Sequence, residues 1–80
     1  MGVRKAFVVS KDCPYCKVVK ERIRKKRLDI EIIDADSPEG FAFAERHNIM
    51  AVPQCVLIIQ EGGREKVKLC TDKEAEQLLR

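Results

Sequence analysis

Two cysteines separated by two residues indicate the chemistry of this chain, in the segment Cys13-Pro14-Tyr15-Cys16. The thiolate is the reactive form of cysteine, and the first turn of a helix favours it because unpaired N–H groups concentrate partial positive charge there. The second cysteine lies about one helical turn away, so the two thiols can form and break a disulfide. Such spacing beside a β-α-β pattern predicts thiol–disulfide chemistry in preference to a structural bridge.

The composition limits the class of protein. The 80 residues fit a single domain over 1–80, and 45% apolar with 36% charged side chains is typical of a globular chain. No apolar run approaches the length of a membrane span, and the first residues lack the apolar core of a signal peptide. We therefore expect a cytoplasmic protein with no membrane contact.

The net charge of +3 is concentrated in a basic run between Lys17 and Arg27, which only Glu21 opposes. Such runs are usually the solvated face of a helix. A positive field near Cys13 would also favour its thiolate and attract anionic thiols such as glutathione. No aromatic side chain is interleaved with these charges to stack on bases, so we expect no nucleic-acid partner.

The remaining cysteines and the single histidine suggest structural roles. The spacing of the four cysteines, without a second C-x-x-C or paired histidines, fits neither a disulfide framework nor a zinc site. Cys55 lies in an apolar strand pattern, where we expect a free, small apolar side chain. Cys70 is also expected to be structural, with glutathionylation or dimer bridging as the alternative. His47, near a predicted helix end, would interact with the helix dipole.

Hydrophobic periodicity and turn residues predict seven elements in the order β-α-β-α-β-β-α. Strands are predicted over 4–9, 28–33, 54–60 and 65–70, and helices over 14–26, 38–47 and 73–79. The apolar positions expected to face the core are Cys16, Val19, Ile23, Leu28, Ile30, Ile32, Val67, Leu69, Ala75, Leu78, Leu79, and Phe41, Ala42 and Ala44 or their neighbours. The first crossover makes the first two strands parallel, and the final hairpin is antiparallel. We therefore expect an α/β fold, a four-stranded mixed sheet flanked by three helices on both faces.

Three motifs make the chain resemble the glutaredoxin family, within the thioredoxin-like fold, over nearly its full length. Cys13-Pro14-Tyr15-Cys16 matches the active-site motif of that family letter for letter. Ala51-Val52-Pro53-Gln54 looks like the family's Thr-Val-Pro segment, whose proline is cis. Cys70-Thr71-Asp72, at the start of the last helix, resembles the motif that contacts glutathione.

The resemblance implies roles for five residues of the first two motifs. Cys13 would be the attacking thiolate, and Cys16 would resolve the resulting mixed disulfide. Tyr15 would form a wall of the site. With Pro53 in the cis form, the backbone of Val52 would pair with an extended substrate as an added strand.

The third motif and its surroundings depart partly from the family pattern. Thr71 and Asp72 would bind the α-amino and carboxylate ends of glutathione, although helix capping explains both residues equally well. The family's lysine before the nucleophile is displaced by one position, to Lys11. Its Gly-Gly pair before the last helix is replaced by Lys68 and Leu69.

These features together predict a small, monomeric thiol–disulfide oxidoreductase that reduces protein or glutathione mixed disulfides. It would hold no tightly bound cofactor or metal, with glutathione as co-substrate and electron donor. One alternative donor is a thioredoxin-reductase-type flavoprotein, because the Gly-Gly pair is missing. A second alternative is an iron–sulfur cluster carrier that uses Cys13 and glutathione, which Pro14 disfavours. A third is a redox-inert interaction module that uses the basic helix.

Overall fold

The computed structural model describes residues 2–80 and has the predicted order of elements. Their bounds are β1 (Gly2–Val9), α1 (Pro14–Lys25), β2 (Glu31–Asp34), α2 (Pro38–Arg46), β3 (Gln54–Glu61), β4 (Arg64–Leu69) and α3 (Asp72–Leu78). The expected α/β class with four strands and three helices is therefore confirmed. In residues 2–80, none of the helices has the length and apolar character needed to cross a bilayer.

The sheet has the strand order β2-β1-β3-β4, so β1 is paired on both sides. It is parallel to β2, with Phe7 opposite Ile32, and antiparallel to β3, with Phe7 opposite Cys55. The β3–β4 pair is antiparallel as well, which confirms the mixed sheet expected from the crossover and the hairpin.

Alternate residues of β1 form two separate cores, one on each face of the sheet. Phe7 and Val9 pack in a cluster with apolar residues of α1 and with Leu79 after α3. Ala6 and Val8 pack in a second cluster, against which Phe43 of α2 lies. Helices α1 and α3 therefore cover one face of the sheet, and α2 covers the other.

Helices α2 and α3 begin at hydroxyl side-chain caps. The Ser37 hydroxyl accepts a hydrogen bond from the Gly40 N–H at 3.0 Å before α2. At α3 the Thr71 hydroxyl accepts from the Glu74 N–H at 3.1 Å, and the Glu74 carboxylate accepts from the Thr71 N–H at 2.9 Å. This reciprocal box keeps the pKa of Glu74 below its usual value, because the Thr71 N–H stabilises the charged carboxylate.

The β3–β4 hairpin turns on Gly62 and Gly63, whose φ angles are 53° and 81°. Two consecutive positive φ values belong to the two-residue turn that matches the twist of paired strands, and glycine adopts them without a steric penalty. This turn sets the pairing of Glu61 with Arg64 and hence the register of the two strands.

The second strand is shorter than predicted. We expected a strand over 28–33, but β2 spans Glu31–Asp34. The Leu28 N–H donates to the Ile23 carbonyl at 3.0 Å, after Arg27 adopts a φ of 51°. Leu28 therefore closes the end of α1, and the chain must still turn back before it can pair with β1.

The inward faces of β2 and α2 were partly mispredicted, and Leu69 of β4, also expected to face the core, is 43% exposed. Ile32 is 41% exposed, and Ile33 packs against the core instead. Phe41 and its neighbour Ala42 are exposed, whereas Phe43 contacts the second cluster. Gly40 lies on the inward face of α2, so Phe43 and Ala44, three and four positions later, share that face.

Gly40 lets α2 approach the end of β2. An added Cβ at this position would collide with the carbonyl group of Asp34. We expect Gly40→Ala to lower the free energy of unfolding by about 1–3 kcal/mol, although alanine normally stabilises a helix relative to glycine by about 1 kcal/mol. Urea denaturation at fixed redox state measures the change. Gly2→Ala is the control, because no atom beyond its two chain neighbours lies within 4 Å of its added Cβ. A stabilising Gly40→Ala would contradict the close approach.

Candidate active site

Cys13 is the N-cap of α1, directly before Pro14 at the first helical position. Its backbone is extended, with φ −124° and ψ 105°, so its side chain lies beside the free N–H groups of the first turn. The Cys16 N–H lies 3.1 Å from the Cys13 Sγ and points at it. The first turn of α1 contains no acidic residue. Both features favour negative charge on the Cys13 sulfur once the disulfide is reduced.

Cys13 and Cys16 form a disulfide, with their Cα atoms 5.1 Å apart. Cys13 retains 9% exposure at the protein surface, whereas Cys16 is fully buried among the apolar residues of the α1 side. An incoming disulfide can therefore reach the Cys13 sulfur but not that of Cys16. This asymmetry fits the predicted roles of attacking and resolving cysteine.

The loop before β3 brings a second backbone segment to the same sulfur. The Val52–Pro53 peptide bond is cis, as the family resemblance implied. The Val52 carbonyl oxygen lies 3.7 Å from the Cys13 Sγ. Any group bound along this loop therefore lies next to the reactive sulfur.

A cavity of about 530 Å³ opens between α1 and α3, and it reaches Tyr15 and Pro53, the chain neighbours of Cys16 and Val52. Tyr15 and Arg22 line it from α1, Pro53 from the loop, and Asp72 and Glu76 from α3. The lining therefore offers one cation and two carboxylates around an apolar floor. A small zwitterionic ligand would find partners for both of its charges.

Of the predicted site residues, Tyr15, Pro53 and Asp72 line the cavity, whereas Cys13, Cys16, Lys11, Val52 and Thr71 do not. The backbone N–H of Lys11 donates to an Asp36 carboxylate oxygen at 2.8 Å, and its side chain is exposed. Thr71 caps α3 at the edge of the cavity. Arg22 was not predicted as a site residue, because in the sequence it is one of several cations in the basic run.

The structure corrects the expectation that Cys55 and Cys70 are free. They form a disulfide, with Cα atoms 5.2 Å apart, and no free cysteine remains in residues 2–80. Val56 pairs with Leu69, so the next positions outward bring the two cysteines opposite each other at a distance that a disulfide can span. Their equal separation from the Gly62-Gly63 turn was the sequence signal for this pairing.

Solved structures share this fold. A thioredoxin from Thermus thermophilus is 20% identical, with a TM-score of 0.65 over 95% of this chain and 72% of its own. Thioredoxin O2 from Arabidopsis thaliana, in the oxidised state, is 19% identical, with a TM-score of 0.58 over 98% and 76%. Oxidised thioredoxin from Plasmodium falciparum is 17% identical, with a TM-score of 0.60 over 96% and 77%. The fold is therefore thioredoxin-like.

The family follows from a different comparison. The model of the glutaredoxin family matches residues 5–58, well over half of the chain, from β1 into β3. The chain belongs to the glutaredoxin family, and its cysteine pair makes it a thiol–disulfide oxidoreductase. No curated protein sequence matches closely enough to count as a relative.

The different environments of Cys13 and Cys16 predict different reactivities. After reduction, limiting iodoacetamide at neutral pH should modify Cys13 roughly tenfold faster than Cys16, because alkylation needs an accessible thiolate. Peptide mass spectrometry after short reaction times gives both rates. The same reaction in denaturant is the control, where the two rates should converge. Faster modification of Cys16 in the native protein would contradict the assignment of Cys13 as the attacking residue.

Proposed function

We propose that this protein uses glutathione to reduce disulfides of client proteins and mixed disulfides with glutathione. The main supporting observation is the cavity between α1 and α3, which has charges of both signs in its lining and reaches Tyr15 and Pro53, next along the chain to Cys16 and Val52. The family supplies the chemistry, and the cavity supports a donor that is small and zwitterionic.

The reaction consists of two successive thiol–disulfide exchanges. The Cys13 thiolate attacks one sulfur of the client disulfide, and the other client sulfur leaves as a thiolate and takes up a proton. The Cys16 thiolate then attacks the Cys13 sulfur of this mixed disulfide. The client leaves as a dithiol, and Cys13 and Cys16 are joined in a disulfide.

Glutathione restores the dithiol in two further exchanges. The thiolate of one glutathione attacks the Cys13 sulfur and releases the Cys16 thiol. A second glutathione attacks the glutathione sulfur of that mixed disulfide and releases Cys13 with glutathione disulfide. In total, two glutathione thiols are oxidised and one protein disulfide is reduced.

The charged groups of the cavity complement glutathione, which has one ammonium and two carboxylates. Asp72 and Glu76 are suited to the ammonium, and Arg22 is suited to a carboxylate. The Thr71 hydroxyl accepts a bond from Glu74 and keeps its own proton to donate to the ligand. The Val52 backbone would pair with the extended peptide beside Cys13. Lys11, which lies outside the cavity, would attract anionic thiols through its field alone.

A thioredoxin-reductase-type flavoprotein is the second candidate for the donor. Lys68 and Leu69 are the last residues of β4, where the family usually has two glycines. Their side chains limit how closely a ligand backbone can approach this strand. The thioredoxins that share the fold strengthen this alternative by analogy only.

We further propose that the protein acts as a monomer in the cytoplasm, without nucleic acid. Both cysteines and the whole cavity lining come from one chain, so the site needs no second copy. A dithiol recharged by small thiols also needs a compartment that keeps thiols reduced.

Two donor systems tested in parallel decide the proposal. Glutathione with its reductase should turn over the oxidised protein rapidly, and mass spectrometry should detect a glutathione adduct on Cys13. A thioredoxin-reductase-type flavoprotein with NADPH should be slower. Cys13→Ser is the control and should abolish turnover, while Cys16→Ser, which cannot form the internal disulfide, should keep the adduct formed with oxidised glutathione until reduced glutathione is added. Turnover with the flavoprotein alone would contradict the glutathione assignment, and turnover with neither donor would contradict the redox function.

Arg22 tests the predicted mode of glutathione binding. Arg22→Gln should raise the KM for glutathione about three- to tenfold with little change in kcat, because one partly solvated charge contact is worth about 1 kcal/mol. Steady-state kinetics at low ionic strength measures both parameters. Arg24→Gln is the matched control, since Arg24 lies on the same helix but outside the cavity. An equal effect of both substitutions would indicate only a general loss of positive charge.

A further inference from the structure

A second disulfide lies in the wall of the same cavity, and the exchange at Cys13 does not use it. Cys55 lies at the start of β3, and Cys70 lies between the end of β4 and α3. Both residues line the cavity between α1 and α3. We propose that Cys55 and Cys70 are a second reversible dithiol–disulfide couple, which small-molecule thiols reach from the cavity at the Cys70 sulfur.

The backbone keeps this pair aligned whether or not the disulfide is closed. The Cys70 N–H donates to the Cys55 carbonyl at 3.0 Å, which continues the ladder beyond the pair Val56–Leu69. The 5.2 Å between the Cα atoms is therefore set by strand pairing and lies within the range for a disulfide. The disulfide can open and close again without a change of fold, as a redox couple requires.

The burial of the two cysteines determines which sulfur is attacked. Cys55 is only 2% exposed and packs against Phe7, its partner on β1. Cys70 is partly exposed at the edge of the same cluster. A thiolate that enters the cavity can therefore approach the Cys70 sulfur, and Cys55 is the leaving group.

Two small thiols complete the reduction of this couple. The first thiolate forms a bond to the Cys70 sulfur, the Cys55–Cys70 bond breaks, and Cys55 leaves as a thiolate that takes up a proton. The second thiolate attacks the small-molecule sulfur of the mixed disulfide and releases the Cys70 thiol. Two small thiols become one disulfide, and the protein gains two thiols. The step is the same for any small thiol, so it does not depend on which donor serves Cys13.

Opening of the couple would loosen one wall of the cavity. Cys70 directly precedes Thr71, the N-cap of α3. This seven-residue helix has no buried residue of its own, and it is attached mainly through Ala75, Leu78 and Leu79. The Cys55–Cys70 bond joins its start covalently to the sheet. The reduced protein should therefore show faster amide exchange in α3 than the oxidised protein.

The couple is tested without the active-site cysteines. In the Cys13→Ser/Cys16→Ser variant, folded protein is equilibrated with reduced glutathione, quenched with acid, alkylated in denaturant and analysed by mass spectrometry. We expect a change from no alkylated cysteine to two per chain, and loss of both sites again after oxidised glutathione is added. A disulfide that stays closed in native buffer and opens only in denaturant would overturn the proposal. Because this variant cannot perform the exchange at Cys13, its result is independent of the proposed function.

Single substitutions test the point of attack. In the same background, Cys55→Ser leaves only Cys70, which should form an adduct with oxidised glutathione. The matched variant Cys70→Ser leaves only the buried Cys55, which should not. Equal modification of the two would overturn attack at Cys70. Circular dichroism checks that each variant is folded; if one is not, counting alkylated cysteines in the wild-type chain under the same buffers still decides between two and four redox-active thiols.

Discussion

The pairing of β1 with both of its neighbours is the constraint on which the rest of the structure depends. Its alternate residues supply the two cores, because Phe7 and Val9 point to one face and Ala6 and Val8 to the other. β1 ends at Val9, a few residues before Cys13, so α1 starts at the carboxyl end of this central strand. The antiparallel pairing with β3 then brings the Val52–Pro53 loop to the same end of the sheet.

Reactivity in this protein arises where three weakly buried segments meet. The first turn of α1 supplies an N–H that points at the Cys13 sulfur, the loop before β3 supplies a carbonyl, and α3 supplies carboxylates. None of these segments is part of a regular strand. The sheet fixes their positions, although none of the three takes part in its hydrogen-bonded ladder.

The sequence predicted most of the fold because its strongest patterns are local. Pro14, Ser37 and the two glycines of the hairpin each act within a few residues, and the structure has a helix start or a turn at each of them. The predicted bounds of β2 and the predicted inward face of α2 failed because they depend on contacts between elements. The same reason applies to Arg22, whose position in the cavity depends on how α1 packs against α3, and to the pairing of Cys55 with Cys70, which depends on register.

The length of the Gly62-Gly63 turn determines which residues of β3 and β4 lie opposite each other at the far end of the hairpin. The turn lies roughly 20 Å along the strands from the cavity, given a rise of about 3.3 Å per residue. Its two-residue length places Cys70 opposite Cys55 and on the same face of the sheet. One inserted residue would shift β4 by one position and direct the residue now facing the cavity to the α2 side. The length of a solvent-exposed turn therefore determines whether a disulfide can form at the opposite end of the hairpin. Natural variation in the length of that turn would remove the second disulfide from the cavity without any change to a cysteine.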